Sequence, residues 1–303
     1  MPNYLVQILL SLSLLGAGTS SLAETQKPWM SNYAYELTSG SGRLVYLFGS
    51  SHYSVSSVPT YLGPCVKNLI KSSRSIFLEV DQLAVRSITA PKSVSMQLVA
   101  EHLDQDTLEA LDSVVFGRVA QADSRQWMGM DAAILLNVLI SRIPGGTQLL
   151  GQMDFGLDTE LSMAARFLDI PVAFVESPEN QLHFHEMVPA KYLAQAIEAA
   201  LKLTKDKQGA ERHYRSTLSM LQAGASGDEE RLLQYFEAAG FSGYYQSTIF
   251  ARNESLTDKV EAVISGAAIP PIFIALGAAH LAGKDSVVRR LESRGFKTKR
   301  LCL

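Results

Sequence analysis

The sequence predicts an α/β protein with a mixed, largely parallel central sheet that is covered by helices. Short apolar runs bounded by Gly, Pro or Ser alternate with segments of helical periodicity, which is the pattern of strands joined by crossover helices. The chain has 303 residues and is 47% hydrophobic and 19% charged, so it can bury a sizeable core. The low formal net charge of −3, together with this apolar content, excludes general disorder. It also provides no basic surplus for binding nucleic acid.

Five apolar segments are predicted to form strands. They are residues 43–48, 75–80, 171–175, 271–276 and, at the end of the chain, 298–303. A helix is predicted around Val66, Leu69 and Ile70, and another over residues 284–294.

A helical elaboration is predicted in the middle of the chain. Helical periodicity dominates residues 100–168 and again 189–265, with a break at 143–146. The sequence GASG at 224–227 is predicted to be a flexible linker. Because no linker is long enough to separate two domains, we expect residues 24–303 to form a single domain with helical insertions.

The N-terminal segment is predicted to be a signal peptide over residues 1–23. Its apolar run LVQILLSLSLLGAG, at 5–18, is shorter than the roughly 20 apolar residues that cross a bilayer. The small residues Ser21 and Ala23 before Glu24 fit a signal-peptidase site, so we expect an exported protein, periplasmic or secreted. The alternative is a buried N-terminal strand or helix. No later segment has the length and apolarity of a membrane span, so none is predicted in the mature chain.

Two cysteines are too few for a disulfide framework or for a zinc cluster built on cysteine. In an oxidising compartment Cys65 and Cys302 would pair and tie the last strand to the first helix. Two buried thiols are equally compatible with the sequence.

Residues able to bind metals or transfer protons stand at the carboxyl ends of four predicted strands. The first and fourth of the predicted strands are each followed by Gly-x-x-His, which contributes His52 and His280. Glu79 lies near the end of the second strand, and Glu176 follows the third. Since ligands of open α/β sheets bind at this edge, we expect the four side chains to meet in one cleft.

Imidazole and carboxylate ligands together suit a divalent transition metal such as manganese, iron, cobalt or zinc. Such an ion makes a bound water nucleophilic near neutral pH. Each histidine alone is equally compatible with a polar loop residue, and Glu176 with a turn cap. Glu79 is harder to explain in this way, because a carboxylate late in an apolar strand is costly to bury without a partner. His183 and His185 are predicted to lie on a helix with their rings pointing apart, so we expect no metal there.

Several segments resemble the TraB/GumN (TraB/PrgY, Tiki-like) family over nearly the whole mature chain. The segments are LVYLFGSSH, IFLEVD, GLDTEL, PVAFVESPENQL, ARNESL and, as the most specific, FIALGAAHLAGKDSVVRRLESRGF. Trp127 in the first helical block is a further marker. The resemblance implies an EreA/ChaN-like fold in which two Gly-x-x-His motifs and a strand-end glutamate form the active site.

Carried over residue by residue, the resemblance implies that His52, Glu79 and His280 are metal ligands and catalytic residues. It also implies that Arg252 polarises a carbonyl or holds a carboxylate. Asn253, Asp158 and Glu176 match family positions that would surround these groups.

The leading functional hypothesis is an exported metal-dependent hydrolase, namely a Tiki-like peptidase. Glu79 would be a ligand or the general base, and Arg252 would stabilise the tetrahedral intermediate. One alternative is a non-catalytic binding protein for a peptide signal or haem, because cleft histidines also bind haem iron. Another is a metal-free esterase that acts on small molecules and resembles erythromycin esterase. The sequence makes no prediction of the oligomeric state.

Overall fold

A computed structural model describes residues 29–51, 60–81, 84, 94–116, 131–143, 156–237 and 240–302. In chain order its strands are β1 (Trp29–Ser31), β2 (Ala34–Thr38), β3 (Leu44–Ser50), β4 (Thr60–Leu62), β5 (Ser75–Leu78), β6 (Val172–Phe174), β7 (Ile272–Gly277) and β8 (Lys297–Leu301). Strands β1 and β4 form a small parallel sheet of their own, and the other six form the central sheet.

The central sheet has the strand order β6-β5-β7-β3-β2-β8. The pairs β6–β5, β5–β7 and β7–β3 are parallel, whereas β2 is antiparallel to both β3 and β8. The prediction of a mixed, largely parallel sheet is therefore confirmed. Each predicted strand is present with its ends moved by one or two residues, and β2 joins the sheet although it was not predicted.

Helices connect and cover these strands. They are α1 (Pro64–Ser72), α2 (Met96–Ala100), α3 (Gln105–Phe116), α4 (Ala132–Arg142), α5 (Leu157–Phe167), α6 (Pro178–Glu186), α7 (Ala190–Lys205), α8 (Lys207–Ser226), α9 (Glu229–Phe236), α10 (Ser242–Thr248), α11 (Asn253–Ser265) and α12 (Val287–Ser293). Two short 3-10 helices, Phe250–Arg252 and Ala278–Leu281, lie directly before α11 and directly after β7.

In the middle of the sheet both faces are buried, as the continuous apolar runs of β3 and β7 require. Along β3, Val45 and Leu47 pack into one cluster with residues of α8, α9, α11 and α12. Tyr46 and Phe48 point to the opposite face and pack with residues of α1 and α5. This alternation is the period of two that a strand imposes on its side chains. The sheet is thus the middle layer between two layers of helices.

The helical elaboration has its own apolar cluster. Residues of α2, α3, α4 and α7 contribute most of the cluster's buried side chains, among them Leu111, Leu135 and Ile197. The predicted linker at 224–227 is wrong, because α8 continues to Ser226. Gly227 ends the helix with a φ of 68°, a left-handed conformation that glycine adopts without steric cost.

The two cysteines form a disulfide. Cys65, in the first turn of α1, is bonded to Cys302, which follows β8, and their Cα atoms are 5.6 Å apart. The bond closes a loop of 237 residues and therefore constrains the unfolded chain strongly, a class of effect that typically contributes about 2–4 kcal/mol. It ties the edge strand β8 to the helix that begins the first crossover.

Within the part of the chain that the structure describes, every helix is too short or too polar to cross a membrane. The predicted signal peptide lies outside the described residues.

Candidate functional site

The site is built where four parallel strands end at the same edge of the sheet. Strands β6, β5, β7 and β3 are neighbours and run in one direction, so their carboxyl ends lie side by side. In β3 and β7, Ser50 is paired with Gly277, which places the two Gly-x-x-His motifs on adjacent strands and offset by one residue. The loops that follow these strands supply the polar side chains described below.

Glu79 directly follows β5 and is almost fully buried, with 1% of its side chain exposed. Its Oε2 accepts a hydrogen bond of 2.6 Å from the backbone N–H of Gly277 at the end of β7. Its Oε1 lies 2.9 Å from Nη2 of Arg252. A backbone donor and a guanidinium therefore compensate the cost of burying this carboxylate.

Glu176 follows β6 and lies beside Glu79. The backbone N–H of Glu176 donates to the carbonyl of Glu79 over 2.9 Å, continuing the parallel ladder beyond the two strands. The Oε1 of Glu176 accepts a hydrogen bond from Arg252, and its Oε2 lies 3.4 Å from Nζ of Lys259. Burial raises the pKa of Glu176, and the charge of Arg252 opposes that shift.

Arg252 joins the two carboxylates. It ends the 3-10 helix before α11, and only 5% of its side chain is exposed. The Nη2 group donates to both Glu79 and Glu176. Its buried Nε–H has no hydrogen-bond partner among the residues that the structure describes. A buried donor without a partner is uncommon in proteins.

His280 is held in a defined orientation by Asn253. In the 3-10 helix after β7, Nδ1 of His280 lies 2.7 Å from Oδ1 of Asn253, the first residue of α11. The amide of Asn253 donates from Nδ2 to the carbonyl of Asp285 over 3.0 Å, which turns its oxygen towards the imidazole. This network assigns a proton to Nδ1 of His280. The other ring atom, Nε2, lies 3.8 Å from Oε1 of Glu79.

The side chains of Glu79 and His280 have donor atoms of the type and separation that two ligands of one divalent metal ion require. Metal ions contact histidine nitrogen and carboxylate oxygen at about 2.0–2.2 Å, so donor atoms 3.8 Å apart are within reach of one ion. A ligating histidine commonly donates its other N–H to an amide or carboxylate, as His280 does to Asn253. No set of three His, Cys, Asp or Glu side chains within the described ranges is arranged to hold a metal.

The predicted third ligand, His52, lies outside the described residues, as does Trp127. The strand that leads to His52 does reach this edge, because β3 ends at Ser50 beside Gly277.

Asp158 is located by a contact between the end of β3 and the start of α5. The carbonyl of Ser51 accepts a hydrogen bond of 2.8 Å from the N–H of Leu157, the first residue of α5. Asp158 is the next residue of α5 and is buried in its first turn. The structure thus places Asp158 near the end of β3.

The structure therefore brings five of the residues predicted from the sequence into one cluster, in which hydrogen bonds join Arg252 to both glutamates and Asn253 to His280, and a contact of 3.8 Å joins His280 to Glu79: Glu79, Glu176, Arg252, Asn253 and His280. Two members of the group were not predicted. Lys259 lies seven residues, two helical turns, after Arg252, a spacing that places both on one side of α11. Gln181, on α6, has its Nε2 3.5 Å from Oε1 of Glu79.

Comparison with known families identifies the family of the chain. The model of the TraB/PrgY/gumN family matches residues 34–300, which is nearly the whole chain. The chain belongs to this family. The matched range begins at β2, ends in β8 and includes every residue of the site described above. No curated protein and no solved structure matches the chain.

Proposed function

We propose that this TraB/PrgY/gumN-family protein is an exported metal-dependent hydrolase, most specifically a peptidase of the Tiki-like type. The observation that carries the proposal is the buried pair of Glu79 and His280, which Gly277 and Asn253 hold in place beside the guanidinium of Arg252. Buried, oriented titratable groups of this kind are concentrated at catalytic sites.

Each residue has a role that follows from its contacts. His280, protonated at Nδ1, presents Nε2 to a ligand, and Glu79 provides either a second ligand or the base that takes a proton from water. When bound by His280, Glu79 and His52, a divalent transition metal would supply Lewis acidity and lower the pKa of a water molecule. Manganese, cobalt, zinc and iron all accept this combination of ligands.

Arg252 is proposed to stabilise negative charge that develops on the substrate. Its Nη2 is already engaged with two carboxylates, so the guanidinium is fixed before a substrate binds. Its buried Nε–H remains as a donor for a carbonyl oxygen that becomes an oxyanion. Donors fixed in advance in a buried site contribute more than the same donors would in water.

A second candidate is a metal-free hydrolase, such as the esterase considered from the sequence. One observation favours it: both oxygens of Glu79 already have protein donors, Arg252 on one and the backbone of Gly277 on the other. In that case His280 would act as the general base, and Glu79 would stabilise the protonated imidazole.

The disulfide supports the proposal of export to the periplasm or the exterior. Structural disulfides persist in oxidising compartments and are rare in reducing ones. The bond between Cys65 and Cys302 therefore agrees with the apolar N-terminal run that predicts a signal peptide.

The first experiment is elemental analysis of the purified mature protein beside the His52→Ala and His280→Ala variants, after incubation with manganese, cobalt and zinc. We expect one transition metal per chain in the parent and its loss in both variants. His183→Ala is the matched control, because His183 lies on α6 with 62% of its side chain exposed. The same four proteins are then assayed for cleavage of labelled casein and of a quenched peptide library.

The outcomes separate the two candidates. Metal content and peptide cleavage that fall together in the His52 and His280 variants support the metal-dependent peptidase. Hydrolysis that persists after exhaustive chelation and is lost only in His280→Ala supports the metal-free enzyme. If both histidine variants keep full metal content and full activity, the proposed site is wrong.

A further inference from the structure

Helix α6 presents a second histidine towards the site. The helix begins at Pro178, two residues after Glu176, and Oγ of Ser177 caps it by accepting from the N–H of Asn180. Gln181, in the middle of α6, reaches Oε1 of Glu79 over 3.5 Å. His185 lies four residues after Gln181, and residues four apart share one face of a helix. His185 therefore lies one turn further along the face that contacts the site.

The surroundings of His185 come from three other parts of the chain. Its ring centroid is 6.4 Å from that of Tyr244 on α10, and the side chain is largely buried. Burial lowers the pKa of His185, and the positive charge of Arg252 lowers it further, while Asp131 before α4 opposes both. A lowered pKa keeps the imidazole neutral at pH 7, with one donor and one acceptor nitrogen.

The other histidine of the same motif has a different environment. His183 precedes His185 by two residues, so its ring points away from that face. Its side chain is 62% exposed, and its Nδ1 lies 3.6 Å from a carboxylate oxygen of Glu186 on the same helix. The two histidines thus form a natural pair for comparison, one facing the site and one facing solvent.

We propose that His185 is a substrate-contacting residue of this site, and that it hydrogen-bonds an uncharged amide or ester group of the substrate next to Arg252. The proposal rests on the hydrolase function proposed above and extends it. A neutral imidazole beside a guanidinium whose charge is balanced by two carboxylates suits a neutral polar group better than a second charged one. His185 would thereby help to align the bond that is cleaved.

The kinetic test compares His185→Phe with His183→Phe on the labelled peptide that the parent cleaves best. Phenylalanine keeps a planar ring but cannot hydrogen-bond, and loss of one hydrogen bond to a substrate corresponds to a decrease of about tenfold in kcat/KM. We expect this decrease for His185→Phe, mainly through KM, and parent-like kinetics for His183→Phe. Equal thermal unfolding of the two variants excludes a general loss of structure. If His185→Phe keeps the kcat/KM of the parent, the role in substrate binding is wrong.

The second test locates the ring without using activity. Histidine-labelled protein is titrated by NMR before and after the Arg252→Met substitution, with His183 as the internal reference. We expect the pKa of His185 to rise in the variant, because the guanidinium that disfavours its protonated form has been removed. If the pKa of His185 is the same in the variant as in the parent, the placement of His185 in the site is wrong. If the parent hydrolyses no peptide or ester, the proposed function fails, whereas the NMR result still decides the placement of His185.

Discussion

The short helical segment from Arg252 to Ser265 carries two groups of charges that differ in burial. On one side, Arg252 and Lys259 contact the carboxylates of Glu79 and Glu176. The side chains of Arg252 and of both glutamates are almost fully buried, whereas that of Lys259 is partly exposed. On another side, acidic residues of α11 pair at the surface with one arginine in α12 and one directly after it. The surface group consists of Glu254, Asp258, Glu261, Arg290 and Arg294.

The difference matters because the cost of removing charges from water differs between the two groups. Ion pairs at the surface typically contribute about 0–1 kcal/mol and cost little to form. Charges in the interior lose their hydration, and replacing a complete buried group by apolar side chains is often neutral or stabilising. The surface group is therefore explained by modest stabilisation of the contact between α11 and α12. The buried group is not explained in this way, which supports a chemical role for it.

The largest expected effect is that of Arg252→Met. The substitution removes the cation between two buried carboxylates, Glu79 and Glu176, and breaking a buried charge group in this way typically costs about 3–5 kcal/mol. We expect the free energy of unfolding at pH 7 to fall by that amount and hydrolysis to be lost. Urea unfolding followed by circular dichroism measures the first quantity.

The matched control is Arg294→Met, at the residue that directly follows α12. Arg294 contacts three carboxylates, in Glu254, Asp258 and Glu261, yet 26% of its side chain is exposed. We expect a loss of about 1 kcal/mol or less and parent-like hydrolysis. If the two substitutions cost the same, the distinction between the buried and the surface group has no energetic basis.

The next largest effect is expected on catalysis. Glu79→Gln keeps the size of the side chain and an oxygen for the N–H of Gly277, but it removes the negative charge and one acceptor. Loss of a general base or ligand typically lowers the rate by about 10²- to 10⁴-fold. Glu254→Gln, the same change in the surface group, is expected to leave kcat/KM unchanged. Comparable rates in the two variants would exclude Glu79 from the reaction.

The sequence predicts the sheet and its polar edge well because both depend on local patterns. Strands β3, β5 and β7 are continuous apolar runs, and such runs are predicted by composition alone. Glu79 stands out because a carboxylate that ends such a run needs a partner. Strand β2 was missed because AYELT is short and its Glu36 interrupts the apolar pattern, and it is recognisable only from its pairing with β3 and β8.

Contacts between distant segments are what the sequence does not predict. Lys259 has the spacing of an ordinary solvent-facing lysine on α11, and only the fold shows that it reaches Glu176. Gly224 looks like part of a linker, but it packs in α8 close to Ala278, whose Cβ would lie 3.4 Å from an added methyl group. In both cases the decisive neighbour is on another element of the sheet edge. The order of the strands, rather than local sequence, brings these residues together.

The smallest expected effect concerns salt and tests the comparison most directly. Screening at 1 M salt reduces the Debye length to about 3 Å, so exposed pairs lose most of their attraction, whereas buried pairs are screened much less. The loss in free energy of unfolding caused by Arg294→Met should therefore shrink towards zero between 0.05 and about 1 M sodium chloride. The loss caused by Arg252→Met should persist, because only 5% of the Arg252 side chain is exposed. Urea unfolding of both variants and the parent at each salt concentration separates salt effects on the whole protein from those on either group. If the loss caused by Arg252→Met disappears at high salt, water and ions reach the buried group between β5, β6 and α11. The charges of that group would then need no chemical role to explain them.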